Sequence, residues 1–273
     1  MPEGDTIFRA AATLRGAIAG KRIVAFELRR DPRGRRPPEP GTTVTEVEAR
    51  GKHLLVHFDD GNVLHTHMQM TGAWHVYRKG DRWRRPGHTA RVVIEVDDGT
   101  VVVCFAAPLV ELRRDAFTTR ADSPAAEKVA ALGPDLCTPD PDLDAVLARL
   151  RTLDPAAELG PALLDQRVAA GIGNVYKSEV CWAERVSPFM RLSELDETVR
   201  RRLYETAHAM LRANLGSGRR VTYRGGVAVY GRAGRMCPRC RTRIERRGGR
   251  GVNDERVTFW CPACQPEPPV PAR

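Results

Sequence analysis

The chain has 273 residues and a net charge of +10, with thirty-nine arginines but only five lysines. This length can hold two compact domains, or one domain with a small module, so the fold does not need disulfide bonds as staples. The charge indicates a polyanionic partner. Long apolar runs and an apolar signal segment are both missing, so we expect a cytoplasmic protein that is soluble and has no membrane attachment.

The first 120 residues are predicted to form one helix and then a set of strands. Residues 6–18 place apolar side chains on one helical face, and Gly20 ends the pattern. Short β-branched segments follow, separated by turn signals such as DDGN and DDGT, which indicate two packed antiparallel sheets. The predicted strands are 22–29, 43–51, 52–58, 63–68, 90–96 and 100–107.

The second half is predicted to be helical. Residues 121–140 are rich in alanine, proline and acidic residues, which is typical of a link between domains with a short helical piece. Helical periodicity then covers residues 142–151, 158–170, 174–186 and 194–214, with AAGIGN as a tight turn. The final segment, PEPPVPAR, has no means of packing, and we expect it to be disordered.

Four of the seven cysteines form two CxxC pairs separated by twenty residues. Two such pairs at this spacing predict a zinc ribbon, in which each pair presents two sulfur atoms to one metal ion. Four protein ligands leave no open coordination position, so we expect one Zn²⁺ ion with a structural role. The predicted ligands are Cys237, Cys240, Cys261 and Cys264.

Four motifs together resemble the formamidopyrimidine-DNA glycosylase / endonuclease VIII family of base-excision repair enzymes. They are MPEG at the start, RGKHLL around Lys52, LLDQRVAAGIGNVYKSE at 163–179, and the ribbon end RVTFWCPACQ. The segment HMQMTGAW and the ribbon end are similar to the endonuclease VIII branch, in particular its actinobacterial members. The resemblance covers nearly the whole chain.

The resemblance implies an α+β multidomain fold with DNA in a cleft between its two halves. The expected parts are an N-terminal helix with a two-sheet β-sandwich as the catalytic domain, a helix–two-turn–helix domain, and the zinc ribbon as a zinc finger. Applied to this sequence, they occupy residues 1–120, 141–228 and 229–266, with a linker at 121–140 and a disordered tail at 267–273. The expected partner is damaged DNA, and we expect a bacterial monomer that works at the nucleoid without a small-molecule cofactor.

The opening MPEG allows two interpretations. Pro2 and the acidic residues after it suit the first turn of a helix. Removal of Met1 would instead expose the secondary amine of Pro2 as a nucleophile, with Glu3 beside it as a general acid. The resemblance implies the second interpretation: a Schiff base at Pro2, followed by β,δ-elimination.

The resemblance also implies roles for residues elsewhere in the chain. It implies that Lys52 lies near the phosphate and the departing base, although an exposed lysine at a turn is the simpler interpretation. Asn174 at the GIGN turn is expected to bind phosphate, and so is Arg256, which the sequence places at a hairpin tip of the ribbon. The residues expected to fill the space left by a flipped nucleotide are Gln69 and Met70, with Thr71 as a third, and those expected to contact phosphate are His67 and His88.

The resemblance implies a bifunctional DNA glycosylase and AP lyase that excises oxidised bases, and we expect these to be pyrimidines. Two alternatives stay open. The first is a glycosylase for oxidised purines, although no clear counterpart of that branch's Arg-x-Phe wedge follows the last strand. The second is a catalytically silent DNA-binding protein, which would result if Met1 were retained. Asp5 and Thr6 replace the Pro-Glu pair of many relatives, which leaves open the group that assists proton removal at C2′.

Overall fold

The computed structural model describes residues 2–29, 36–114, 124–216, 218–248 and 257–266. The chain forms two compact units, Met1–Ala131 and Leu132–Arg273. The division falls within the predicted linker at 121–140, and the other domain boundaries stay predictions. The tail at 267–273 lies outside the described residues. Within the described ranges, every helix is too short or too polar to span a membrane.

The first unit consists of one long helix, two antiparallel four-stranded sheets and a short final helix. The elements are α1 Gly4–Ile18, β1 Ile23–Leu28, β2 Val44–Arg50, β3 His53–Phe58, β4 Asn62–His67, β5 Ala73–Arg78, β6 Ala90–Val96, β7 Thr100–Phe105, β8 Leu109–Arg114 and α2 Pro124–Ala130. The sheets have the strand orders β2-β3-β4-β8 and β1-β6-β7-β5.

One apolar core joins helix α1 to both sheets. Ile7, Leu14 and Ile18 lie on one face of the helix and pack with alternate side chains of the strands, such as Leu54 and Ile94. Burying an aliphatic side chain of this size contributes about 1.5–3 kcal/mol. The apolar faces that the helical and strand periodicities predict therefore meet in one buried layer.

Two strands of the first unit were not predicted from the sequence. Both lie at sheet edges: β5 flanks β7, and β8 flanks β4. Neither strand has a simple apolar pattern. On β8, for example, Glu111 and Arg113 are buried on the face that points away from the apolar core. Because these short segments contain polar residues, the apolar pattern of the sequence did not indicate either strand.

The second unit consists of helices followed by a short hairpin. Its elements are α3 Leu143–Leu150, α4 Leu159–Leu164, α5 Asn174–Ala183, α6 Glu197–Ala213, β9 Glu245–Arg247 and β10 Thr258–Trp260. The predicted helix over 158–170 ends at Leu164, because the following backbone pairs with another segment. Gly133 N–H donates to the Gln166 carbonyl at 2.9 Å, and Ala170 N–H donates to the Pro134 carbonyl at 2.9 Å.

Two buried charged residues on α5 connect this helix to distant parts of the second unit. The Glu179 carboxylate accepts the N–H groups of Ala228, Val229 and Tyr230 at 2.7, 2.8 and 2.8 Å. The Lys177 ammonium group donates to Thr258 Oγ1 at 2.8 Å. Helix α5 thus holds both the loop before the cysteines and the second strand of the ribbon.

Candidate active site

Pro2 and Glu3 lie at the N-terminal end of helix α1. Pro2 is half-buried and Glu3 is fully buried. The Glu3 carbonyl accepts the N–H groups of Thr6 at 2.9 Å and Ile7 at 3.1 Å, but its carboxylate does not cap the helix. The helix therefore begins without using this carboxylate, which stays inside the protein next to Pro2.

The packing of α1 on β2 brings Glu3 and Lys52 to the same end of the first unit. Arg15 Nη2 donates to the Val47 carbonyl at 2.5 Å, and Gly20 N–H donates to the Val44 carbonyl at 2.8 Å, so the helix runs antiparallel to the strand. From Arg15 back to Glu3 the helix covers about 18 Å. From Val47 forward to Lys52 the strand covers about 17 Å.

Lys52 occupies the two-residue turn between β2 and β3. Arg50 pairs with His53 across the hairpin, and Gly51 has a φ of +57°, in the left-handed region that glycine tolerates best. The Lys52 side chain is half-buried. A tight hairpin on the paired strands therefore fixes the backbone position from which this side chain extends.

The tight turn Met68–Gly72 presents the two predicted void-filling residues. Gly72 N–H donates to the Met68 carbonyl at 2.7 Å, and Gln69 has a φ of +43°. Met70 is 58% exposed, whereas Met68 is 3% exposed and belongs to the core. Of the two methionines in this segment, Met68 is therefore a core residue and Met70 is a surface residue.

Three histidines and one glutamate form a polar cluster between these two turns. His53 Nδ1 and His65 Nε2 are 2.8 Å apart, and the ring centroids of His53 and His67 are 4.7 Å apart. The Glu111 carboxylate is 3.8 Å from His65 Nδ1. The cluster lies on the face of the β2-β3-β4-β8 sheet that points away from the apolar core.

Two histidines of the cluster, His53 and His67, are held in their neutral form. Burial, and then the neighbouring His65, lowers the pKa of His53 to about 2 and that of His67 to about 4. Gln69 N–H donates to His67 Nδ1 at 3.2 Å, so the proton of the neutral His67 ring is on Nε2. His67 thereby holds the turn that carries Gln69.

Of the four residues in this cluster, only His67 was predicted from the sequence. His65 and His67 are two residues apart on one strand, a spacing that places both on one face of a sheet. This spacing is the feature of the sequence that could have indicated the cluster. The predicted phosphate contact of His67 stays a proposal, and His88 is exposed in the short 3-10 turn Gly87–Thr89.

In the second unit, the GIGN turn leads directly into helix α5, whose first residue is Asn174. Gln166 holds this turn, because its Nε2 donates to the Ile172 carbonyl at 2.9 Å and its Oε1 accepts Gly171 N–H at 3.1 Å. The N-terminus of a helix attracts anions, so this end of α5 suits a phosphate group. The predicted hairpin-tip residue Arg256 lies outside the described residues.

The four predicted metal ligands lie together. Their sulfur atoms are all within 4.8 Å of one another, with 3.4 Å between Cys240 and Cys261 and 3.9 Å between Cys237 and Cys264. These separations are too long for disulfide bonds of about 2.05 Å. They agree with the spacing of about 3.8 Å between thiolates at the corners of a zinc tetrahedron with Zn–S bonds of about 2.3 Å.

Comparison with known protein families finds a match in each unit. Residues 1–107 match the formamidopyrimidine-DNA glycosylase N-terminal domain, and residues 132–223 match the formamidopyrimidine-DNA glycosylase H2TH domain. The chain belongs to the formamidopyrimidine-DNA glycosylase family. The resemblance and the fold class predicted from the motifs are confirmed.

Relatives that match nearly the full length of the chain indicate which enzymes of the formamidopyrimidine-DNA glycosylase family it is similar to. A probable endonuclease 8 2 of Streptomyces coelicolor is 42% identical, covering 98% of this chain and 95% of that protein. The DNA-(apurinic or apyrimidinic site) lyase Nei2 of Mycolicibacterium smegmatis is 40% identical, covering 97% and 99%. These relatives confirm the expectation of a DNA glycosylase and AP lyase of base-excision repair.

A solved structure has the same fold. The MutM (Fpg) protein of Thermus thermophilus matches with a TM-score of 0.75 at 28% identity, covering 98% of this chain and 100% of that chain. The two sheets, the helical region and the cysteine cluster together therefore form an Fpg-like architecture.

Proposed function

We propose that this enzyme removes oxidised pyrimidine bases from DNA and then cuts the strand, with Pro2 as its nucleophile. The observation that carries the proposal is the convergence of three features at one end of the first unit. These are the start of α1 with Pro2 and Glu3, the turn with Lys52, and the turn with Gln69 and Met70. Relatives named endonuclease 8 support the pyrimidine branch over the purine branch.

The chemistry begins after removal of Met1. The Pro2 nitrogen bonds to C1′ of the sugar as the bond between C1′ and the damaged base breaks. An α-amine is well suited to this step, because its ordinary pKa of about 7.7–8.0 is lower than that of lysine, about 10.4. The positive end of the α1 dipole further disfavours the ammonium form that cannot attack.

The sugar then opens, and breakage of the bond between C1′ and the ring oxygen gives an iminium ion that drives strand cleavage. The nitrogen of proline is a secondary amine, so the iminium it forms keeps its positive charge. That charge acidifies the proton on C2′, and loss of the proton expels the 3′ phosphate; a second elimination expels the 5′ phosphate. Glu3, buried beside Pro2, donates a proton to the ring oxygen as the sugar opens, and Lys52 binds the adjacent phosphate.

A base inside a duplex must leave the stack before Pro2 can reach its sugar. We assign Gln69 and Met70 to the space that the flipped nucleotide leaves. The exposed position of Met70 at the tip of a tight turn supports this role, since apolar side chains commonly fill such spaces. Thr71 is also exposed and follows in the same turn.

The second unit binds the DNA backbone in this proposal. Asn174 and the N–H groups at the start of α5 contact a phosphate, and Arg256 contacts another. One Zn²⁺ ion, held by Cys237, Cys240, Cys261 and Cys264, keeps the ribbon folded and has no part in the chemistry. The sulfur spacing supports zinc as the ion.

Covalent trapping tests the assignment of Pro2. Borohydride added during reaction with abasic DNA should reduce the iminium and link protein to DNA, and mass mapping should find the link on Pro2. A variant with one extra residue before Pro2 is the matched control and should not trap. A link mapped to Lys52, with Pro2 unmodified, would refute the proposal.

A panel of DNA substrates tests Glu3 and the choice of lesion. Glu3→Gln should lose excision of an intact base but keep some cleavage at a preformed abasic site, since an amide cannot supply the proton. The wild-type enzyme should excise an oxidised pyrimidine faster than an oxidised purine from otherwise identical duplexes. The reverse order would assign the enzyme to purines.

A further inference from the structure

The segment Asp81–Gly87, here called the strap, crosses the outer face of the β1-β6-β7-β5 sheet. Strand β5 ends with Arg78 opposite Thr100, at the start of β7. Strand β6 begins with Ala90 opposite Phe105, at the other end of β7. The connection between them must therefore run the length of the sheet instead of turning back at one edge.

Specific contacts hold the strap in place. The Trp83 ring packs against the ring of Phe105 in a T-shaped arrangement, with centroids 5.6 Å apart. Tyr77 Oη accepts the N–H of Arg84 at 3.1 Å. Arg29 Nη1 donates to the Gly87 carbonyl at 2.9 Å, and its guanidinium group lies 5.5 Å from the Trp83 ring centroid. The strap is thus an ordered support for its side chains.

The strap carries three arginines, Arg82, Arg84 and Arg85, of which the first two are exposed. Among the residues that the structure describes, none of the three forms an ion pair with an acid. The single acid of the strap, Asp81, accepts the backbone N–H of Arg78 at 2.8 Å. Closely spaced cations on an ordered loop repel one another, and a bound polyanion relieves that repulsion.

The strap is also attached to the turn that contains Gln69 and Met70. Arg85 Nη1 donates to the Thr71 carbonyl at 3.0 Å, and Thr71 Oγ1 donates to the Ala106 carbonyl at 2.9 Å. A duplex entered by this turn brings its phosphates close to the strap. This connection favours a nucleic acid over an acidic protein as the partner.

We propose that the strap is a second DNA-binding surface, in which Arg82 and Arg84 bind phosphates of the backbone beyond the flipped nucleotide. The proposal rests on the proposed function of the Gln69–Met70 turn. The planar guanidinium group donates two parallel hydrogen bonds to a phosphate, which suits arginine to this contact. Through its hydrogen bond to the Thr71 carbonyl, Arg85 connects the strap that binds the DNA backbone to the turn that carries Gln69 and Met70.

The test compares two double variants of the full chain on DNA with an abasic-site analogue. Arg82→Gln/Arg84→Gln removes two charges from the strap. The control, Arg22→Gln/Arg78→Gln, removes two charges that are already paired with acids at the end of the same sheet, Arg22 with Asp97 at 3.6 Å and Arg78 with Asp98 at 3.8 Å. Affinity is measured over a range of salt concentrations.

The slope of log affinity against log salt should become shallower by about 1.8 in the strap variant, since each phosphate contact contributes about 0.9. The control should keep the wild-type slope. Equal slopes in all three proteins, or equal losses in both variants, would overturn the proposal. Borohydride trapping at saturating DNA should be normal in the strap variant; failure of trapping in the wild type would refute the proposed chemistry without bearing on the slopes.

Discussion

Each unit of the enzyme buries charged or titratable side chains, but it satisfies them in different ways. In the second unit, Glu179 receives three backbone N–H groups, and Lys177 donates to a hydroxyl and a backbone carbonyl. In the first unit, His53 and His65 bond to each other, and His67 accepts the N–H of a turn. The second unit uses buried charges to join chain segments, whereas the first buries His53 and His67, in their neutral form, beside the turns that carry Lys52 and Gln69.

The comparison shows that burial of a charge does not by itself mark an active site. Lys177 and Glu179 belong to the motif that revealed the family, yet their contacts are those of structural anchors. A buried charge therefore has to be interpreted from the groups that it contacts, which for these two residues are distant segments of the same unit.

Removal of a metal ligand should have the largest effect on the second unit. Cys261→Ser should lower zinc from one ion per chain towards zero and weaken binding to abasic-analogue DNA at least tenfold, since structural zinc contributes about 10 kcal/mol or more to small ribbons. Elemental analysis and a binding titration check this. Cys137→Ala, which removes a buried thiol outside the cluster, should keep its zinc, and a zinc-free wild type that still binds DNA would contradict the assignment.

Glu179 should be the next most sensitive position. In Glu179→Gln an amide nitrogen faces backbone N–H donors, so the free energy of unfolding should fall by about 2–4 kcal/mol. Denaturant unfolding measures the loss. The control Glu205→Gln removes an exposed carboxylate from α6 and should change stability by less than about 0.5 kcal/mol. Equal stability of the two variants would show that the carboxylate does not hold the loop.

The histidine cluster predicts how the stability of the first unit depends on pH. The pKa values of His53 and His67 are lowered to about 2 and about 4 by burial and by the nearby His65, Lys52 and Lys128. Between pH 6.5 and 4 the unfolded chain therefore binds protons that the folded chain does not, and stability falls as the pH falls through this window. Above pH 6.5 the two histidines add no pH dependence.

Each histidine should contribute up to about 1.4 kcal/mol per pH unit in this window. Unfolding by denaturant at several pH values from 7.5 to 5 measures the slope, in a range where ordinary carboxyl groups stay ionised. His67→Gln keeps an acceptor for Gln69 N–H but does not titrate, so its slope should be shallower than that of the wild type. A wild-type stability that stays flat from pH 6.5 to 5 would contradict the burial of neutral histidines.

The sequence predicted the parts of the molecule that depend on local chemistry. The first helix, the hairpin turns and the two CxxC pairs each have a short signal that tertiary packing did not override. Glu111 lacks such a signal, because it reaches the histidine cluster only when β8 pairs with β4 and places it opposite His65. That pairing joins strands that are not consecutive in the sequence, so pattern alone does not reveal it.

Two glycines of the first unit differ in the space around them, and their replacement by alanine should give the smallest changes in stability. A Cβ atom on Gly72 would lie 2.7 Å from both the Cα and the carbonyl oxygen of Met68, and 3.0 Å from Ala107 Cα, whereas one on Gly16 in α1 would meet nothing within 4 Å. Backbone atoms cannot move aside as a flexible side chain can, so Gly72→Ala should cost about 1–3 kcal/mol by forcing the turn open. Gly16→Ala should stabilise the protein by about 0.5–1 kcal/mol, since alanine is the better helix former.

Binding then separates stability from function at the turn of Gly72. Gly72→Ala should also weaken binding to abasic-analogue DNA, because the displaced turn no longer presents Gln69 and Met70. Affinity has to be measured under conditions where both variants are fully folded, and Gly16→Ala should bind as the wild type does. A folded Gly72→Ala protein with wild-type affinity would mean that the turn can open without loss, and that the space left by the flipped nucleotide is filled by other residues.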